Sequence, residues 1–166
     1  MTAQKNNTAL LSYGMSGEVF HGPLLEAHPG FEIVRVWQRN KAKAARHGYP
    51  LAGDMAAILN DPSVDLVVVN TPNDSHYTYA LAALQAGKHV IVEKPLEVTL
   101  KRCDRIIAAC EKAGVLLATI FPSRFPESAR QIKQAVDKAR FGRLTLGDAY
   151  VKWYRDQKYY DSGAWR

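Results

Sequence analysis

Short apolar runs of strand length alternate with helical patterns along nearly the whole chain, and that alternation leaves few folds open. Residues 8–11 form an apolar run that meets a glycine-rich turn, and residues 17–27 read as a helix stopped near His28, Pro29 and Gly30. Residues 32–37 are β-rich, and residues 41–47 read as a helix ending at Gly48. Asp54 caps a short helix that carries Met55, Ile58 and Leu59 and closes at Asp61-Pro62. Leu66, Val67, Val68 and Val69 are continuously apolar, which suits a parallel strand buried on both faces. A helix over 76–86 stopped by Gly87, a strand over 89–92 and a long helix over 100–113 follow. Thr99 is expected to cap that helix, whose stripe is Leu100, Cys103, Ile106, Ile107 and Cys110. A strand over 115–120 and a helix over about 126–139 complete the pattern.

Strands separated by helices pair in parallel, because only a crossover returns the chain to the same edge. The expected fold is α/β: a doubly wound, mostly parallel Rossmann sheet with helices on both faces. Ligands of such sheets bind at the carboxyl ends of the strands, near the point where strand order reverses. The turns after Leu11, Trp37, Val69 and Val92 are therefore the places to search.

The first of these turns reads Ser12-Tyr13-Gly14-Met15-Ser16-Gly17, the dinucleotide fingerprint with serine at its first position. Gly14 lets the backbone approach a diphosphate, Gly17 lets the helix pack close to the strand, and the helix start offers unpaired N–H groups. A plain βα turn uses glycine too, but the position between first strand and first helix favours the cofactor reading. At the end of the second strand, where a carboxylate would hold the ribose of NAD, stand Gln38, Arg39 and Asn40. Arg39, reinforced by Lys41 and Lys43, suits a 2′-phosphate, so NADP is favoured over NAD. The turn after Val69 carries Thr71, Pro72, Asn73 and His76. A strand exit with a helix cap explains much of it; Asn73 remains a candidate cofactor contact, and His76 a weaker one. The turn after Val92 carries Glu93, Lys94 and Pro95. A charged pair there is costly in a core and reasonable at a cleft, so Lys94 is the candidate catalytic residue, its ammonium stabilising oxyanion character as hydride leaves carbon. A surface ion pair between Glu93 and Lys94 is the plainer alternative.

Other features bound the function. The 166 residues, 47% hydrophobic, suffice for one well-packed domain. No run approaches the roughly 18 apolar residues of a membrane span, and the polar start lacks a signal peptide, so a cytoplasmic protein with no membrane partner is expected. The formal net charge is +6, but the basic residues are dispersed and lack interleaved aromatics, which argues for an anionic cofactor over nucleic acid. Cys103 and Cys110 lie seven apart on one expected helix, roughly 10 Å along its axis, too far for a disulfide. No metal site is expected.

Taken together, Gly14-Met15-Ser16-Gly17 with His21, Thr71-Pro72-Asn73 with His76, Ala86-Gly87-Lys88-His89-Val90, and Glu93-Lys94-Pro95 resemble the Gfo/Idh/MocA oxidoreductases, the glucose–fructose oxidoreductase and inositol dehydrogenase group. The resemblance implies a Rossmann domain over residues 1–125, a connecting helix over 126–142, and, at 143–166, the start of a truncated C-terminal α/β domain, its first strand at 143–153. It implies Lys94 as the active-site lysine, a pocket shaped by Glu93 and Pro95 with a cis peptide before proline, and hydride exchange with a sugar, cyclitol or related compound. It also implies that a histidine of the second domain completes the proton route, so that this chain alone is inactive or weak. A stand-alone nucleotide-binding module without catalysis is the alternative. The aromatic tail over 151–166 and a lone edge strand leave pairing with a second copy open.

Overall fold

A computed structural model of the chain describes residues 5–38 and 48–162. Two compact units make up the chain, Met1–Ile120 and Phe121–Arg166, and each is described by itself.

The first unit is built on a parallel sheet of five strands: β1 (Asn6–Leu11), β2 (Phe31–Trp37), β3 (Leu66–Val69), β4 (His89–Val92) and β5 (Leu117–Thr119), in the order β2-β1-β3-β4-β5. The order reverses between β1 and β3, so the carboxyl ends of those two strands open the crevice where a doubly wound sheet takes its ligand. Leu11 is in register with Val69, and Val69 with Val92. The turns after all three strands therefore leave the sheet at one level.

Side chains of the central strands divide between two cores with the period of two that a pleated strand imposes. Ala9, Leu11, Val67, Val69, Val90 and Val92 face one side and pack with Ala80, Ala83, Leu84 and Ile106. Leu10 and Val68 face the other and meet Tyr13, Leu25 and Val36. All four residues of β3 are buried, as expected of its unbroken apolar run.

Between the strands lie α1 (Gly22–Ala27), α2 (Met55–Leu59), α3 (His76–Gln85) and α4 (Leu100–Ala113). The Asp54 side chain accepts from the Ala57 N–H and caps α2 as expected. Gly114, left-handed at φ 66°, ends α4. The first helix departs from expectation: it opens with a π-helical turn over Gly17–His21 before α1 begins. The expected helix over 41–47 lies outside the described residues.

Two further expectations are corrected. Thr99 sits at the start of α4 but its side chain makes no capping bond. Leu100, the first residue of the supposed apolar stripe, is exposed, and Ile106 is the residue of α4 that reaches the core. Further along the stripe, Cys110 also packs against the core. The cysteines are free and half-buried, with Cys110 Sγ 3.0 Å from the Val115 carbonyl.

The second unit holds a short turn (Pro122–Arg124), α5 (Glu127–Asp137) and α6 (Gln157–Asp161). The strand expected over 143–153 is not formed. A strand satisfies its N–H and C=O groups only through a neighbour, and the described residues of this unit contain no other strand to pair with it.

The packing predicts unequal costs along α4. Ile106→Ala should lower stability by about 2–5 kcal/mol, whereas Leu100→Ala should change it by less than about 0.5 kcal/mol. Urea melts of the two variants check both.

Candidate functional site

The site begins where β1 leaves the sheet. The Ser12 N–H donates to the Trp37 carbonyl (2.8 Å), and the backbone then turns with Ser12 at φ 107°, in the left-handed region that favours glycine. A side chain there costs on the order of 1–3 kcal/mol, and local bonds offset part of it. Ser12 Oγ accepts from the Gly14 N–H (3.3 Å), and the Ser12 carbonyl accepts from Asn70 Nδ2 (2.9 Å) at the end of β3. The departure from the usual first glycine is thus accommodated by the turn itself.

The two remaining glycines of the turn are required for different reasons. A Cβ on Gly17 would lie 2.8 Å from the Ser12 carbonyl oxygen and 2.9 Å from Asn70 Nδ2, so close packing of helix on strand excludes any side chain. A Cβ on Gly14 would meet only Ser12 Oγ at 3.6 Å, an ordinary contact, and Gly14 has no positive φ. Nothing in the protein's own packing demands glycine at position 14. Backbone kept bare without an internal cause is what close approach of a diphosphate requires. Asn70 adds a second sign. Its Nδ2 is bonded, but its buried Oδ1 has no hydrogen-bond partner among the described residues.

The turn after β4 is fastened to this one by a carboxylate. Glu93 Oε1 accepts from Ser16 Oγ (2.8 Å) and lies 2.9 Å from His21 Nε2. Its Oε2 accepts from the Lys94 N–H (3.2 Å). The hydrogen bond from His21, joined by that from Ser16, holds the Glu93 carboxyl down at about 2 against the desolvation that opposes it. An ionised carboxylate can only accept, so His21 Nε2 carries the ring proton that it donates. His21 closes the π-helical turn, a widened turn of the kind that often marks functional sites.

Lys94 follows, across a cis peptide bond from Pro95. Its side chain is exposed, and among the described residues its ammonium forms no hydrogen bond or ion pair. The plain ion pair with Glu93 is not made, because Ser16 and His21 occupy that carboxylate. A backbone anchored on one side and an uncommitted cation on the other leave Lys94 Nζ available to an oxygen on a ligand.

The remaining predicted residues divide. Met15 is exposed beside Ser16, and Asn73 is partly exposed with no side-chain bond among the described residues. The Pro72 carbonyl accepts the Ser75 N–H and hydroxyl, and the Thr71 hydroxyl lies 2.7 Å from Ser75 Oγ, to which it can donate, shaping a short turn over Asn73–Ser75. Three of the candidate cofactor residues have partners within the protein. The Tyr13 side chain is buried in the core, and its N–H is taken by Gln38 Oε1 (2.6 Å). Gln38 is accordingly committed to the turn. His76 is fully buried, with both ring nitrogens on backbone carbonyls. For Gln38 and His76 the neighbouring backbone has the first claim on the polar atoms. Arg39 and Asn40 lie outside the described residues.

The sequence reading gave no role to Asn70, and none to His21 beyond a resemblance. A polar residue ending a fully buried strand was the available signal for Asn70. Nothing in the spacing marked His21, since an ordinary α-helical turn would place it differently.

Residues 7–121 match the model of an oxidoreductase family described as an NAD-binding Rossmann fold, GFO_IDH_MocA. The chain belongs to this family. It is 33% identical over 151 residues to scyllo-inositol 2-dehydrogenase (NADP(+)) IolW of Bacillus subtilis, covering 89% of this chain and 42% of that protein. It is 41% identical over 119 residues to 1,5-anhydro-D-fructose reductase of Ensifer adhaerens, covering 69% of this chain and 36% of the relative. Among solved structures, the WlbA dehydrogenase from Bordetella pertussis in complex with NADH and UDP-GlcNAcA superposes with a TM-score of 0.87 at 28% identity, over all of this chain and 49% of that one. KijD10, a 3-ketoreductase from Actinomadura kijaniata in complex with TDP-benzene and NADP, superposes with a TM-score of 0.74 at 28% identity, over 82% of this chain and 44% of that one. The chain thus spans less than half the length of these relatives. No helix among its described residues is long and apolar enough to cross a membrane.

Two tests follow from the geometry. Gly17→Ala should cost about 1–3 kcal/mol of stability through overpacking. Gly14→Ala should melt near wild type yet lose dinucleotide affinity, and calorimetric titration of both separates packing from binding. The second test uses pH. A depressed Glu93 pKa stabilises the fold above the ordinary value of 4.5, and that contribution is lost as pH falls toward about 2. The stability advantage of wild type over Glu93→Gln should therefore be full at neutral pH and shrink steadily below about pH 4.5, as read from denaturant melts across that range.

Proposed function

We propose that this chain binds NADP or NAD at the carboxyl edge of its sheet and presents Lys94 to the oxygen of a sugar, cyclitol or related hydroxyl or carbonyl compound in an oxidoreductase reaction. The observation that carries the reading is the Ser16–Glu93 hydrogen bond. It fastens the glycine turn to the turn bearing an exposed, uncommitted lysine, so one elongated ligand can meet both. Gly14, Met15 and Ser16, with the first N–H groups of the helix, would hold a diphosphate. Thr71, Pro72 and Asn73 would line the next edge, and Glu93 and Pro95 would shape the pocket. A nicotinamide bound there supplies or accepts hydride.

Lys94 Nζ donates a hydrogen bond to the substrate oxygen. Its positive charge stabilises that oxygen as negative charge develops on it during loss of its proton, and it equally polarises a carbonyl in the opposite direction. The names of the relatives, an inositol dehydrogenase and an anhydrofructose reductase, support a polyhydroxylated substrate class. Walls around a substrate and a second proton carrier are also needed. By the family resemblance that second carrier is a histidine of a further domain, so the chain by itself is expected to bind cofactor and turn over weakly.

NADP is favoured over NAD. The end of β2 carries no carboxylate to hold a ribose 2′-hydroxyl, Gln38 is engaged by Tyr13, and Arg39 is the residue suited to a 2′-phosphate.

Fluorescence titration with NADPH and NADH tests the reading. NADPH should bind tighter, and Arg39→Ala should weaken NADPH by about tenfold or more while sparing NADH. Equal, weak binding of both would remove the NADP preference; no binding of either would remove the function. In a protein that turns over, Lys94→Ala should lower kcat by about 100-fold or more with cofactor affinity within about threefold. Retained turnover would strip Lys94 of its role.

A further inference from the structure

Among the described residues the Lys94 ammonium makes no bond, yet the backbone on both sides of it is held. On one side Glu93 is tied to Ser16 and His21. On the other, the chain after Lys94 is fixed to the start of α3 at two points. His76 Nδ1 lies 2.8 Å from the Pro95 carbonyl oxygen, and the Glu97 carboxylate accepts from the Tyr77 N–H (3.1 Å) and from its own Val98 N–H (2.8 Å). The second ring nitrogen of His76 lies 2.9 Å from the Thr71 carbonyl, in the neighbouring turn. The His76 ring is fully buried and the Glu97 side chain has no exposed surface, so water does not compete for these bonds.

We infer that His76 is a positioning residue: its Nδ1–H holds the Pro95 carbonyl and so fixes the backbone from which the Lys94 ammonium projects. The inference rests on the functional reading for the purpose of Lys94, but not for the clamp itself. A histidine that merely filled space would not need a ring nitrogen 2.8 Å from the Pro95 carbonyl oxygen. A neutral imidazole carries one N–H, so only one of the two carbonyls it faces can receive a proton; with that proton on Nδ1 the Pro95 carbonyl is the acceptor, and the ring lies between the turns that follow β3 and β4. An ammonium on four methylene groups loses considerable rotamer freedom when it meets a ligand. A fixed backbone limits the further loss.

Isosteric variants separate the two ring nitrogens. His76→Asn places an amide N–H₂ close to the Nδ1 position and can still reach Pro95, whereas His76→Gln places it near Nε2 and can reach only Thr71. Lysines are reductively methylated with a ¹³C label, and the Lys94 signal is assigned by its loss in Lys94→Arg. In wild type, saturating NADPH should move that signal. In His76→Gln the movement should fall by at least about half and the amides of residues 94–98 should exchange about tenfold faster, with the rest of the chain protected as before. His76→Asn should restore both. A folded His76→Gln with unaltered Lys94 response and exchange overturns the inference, as does equal impairment in both variants. Should neither variant fold, ring ¹⁵N spectra of wild type decide: a proton on Nδ1 upholds the clamp, and a bare Nδ1 facing the Pro95 oxygen refutes it. NADPH that leaves the wild-type Lys94 signal still would defeat the functional reading, while exchange and ring spectra would still judge the clamp.

Discussion

A single carboxylate holds the site together. Glu93 stands at the end of β4 and reaches, two strands across the sheet, to the serine and histidine that open and close the π-helical turn. Without it the first helix and the lysine turn would be neighbours only through the sheet. With it, the surface for a diphosphate and the surface bearing Lys94 form one piece. The charge is kept because each carboxylate oxygen has donors, and burial without them would have driven the group toward its neutral form. Ion pairing adds less than placement here: the anion holds the Ser16 and His21 side chains and the Lys94 N–H.

That arrangement depends in turn on the sheet. Strand order puts β1 beside β3 at the reversal and β4 next to it, and the registers bring Leu11, Val69 and Val92 to one level. Asn70, the first residue beyond β3, therefore meets the Ser12 carbonyl directly and lies against Gly17. The same contact that forbids a side chain at position 17 ties β3 to the glycine turn. Ser12 takes a backbone conformation better suited to glycine, and its own oxygens supply two of the bonds that keep it there. Packing and site are the same set of atoms at this edge.

Much of the first unit was legible in the sequence because one signal, the alternation of apolar period, fixes both element type and pairing. Leu66–Val69 read correctly as a strand buried on both faces, and Asp54 as the cap of α2. The glycine and Glu93-Lys94-Pro95 turns were legible because unusual residues at strand ends have few structural excuses. What the sequence could not show is which neighbour claims each polar atom. Tyr13, Gln38 and His76 stand at the right edge; the Gln38 and His76 side chains meet backbone groups, and the Tyr13 ring enters the core, neighbours that only the folded chain brings within reach. The π-helical turn has no marker in composition. The strand expected over 143–153 shows the complementary limit: alternation licenses a strand but cannot supply the partner that forms it.

The central claim is that one dinucleotide bridges the glycine turn and the lysine turn. A crystal structure of this chain grown with NADPH tests it most directly. The account predicts the diphosphate against the backbone of Gly14 to Ser16, the nicotinamide ring beside Lys94, and the Ser16–Glu93–His21 contacts intact beneath them. A nucleotide bound elsewhere, or one whose binding pulls Glu93 away from Ser16 and separates the two turns, would contradict it.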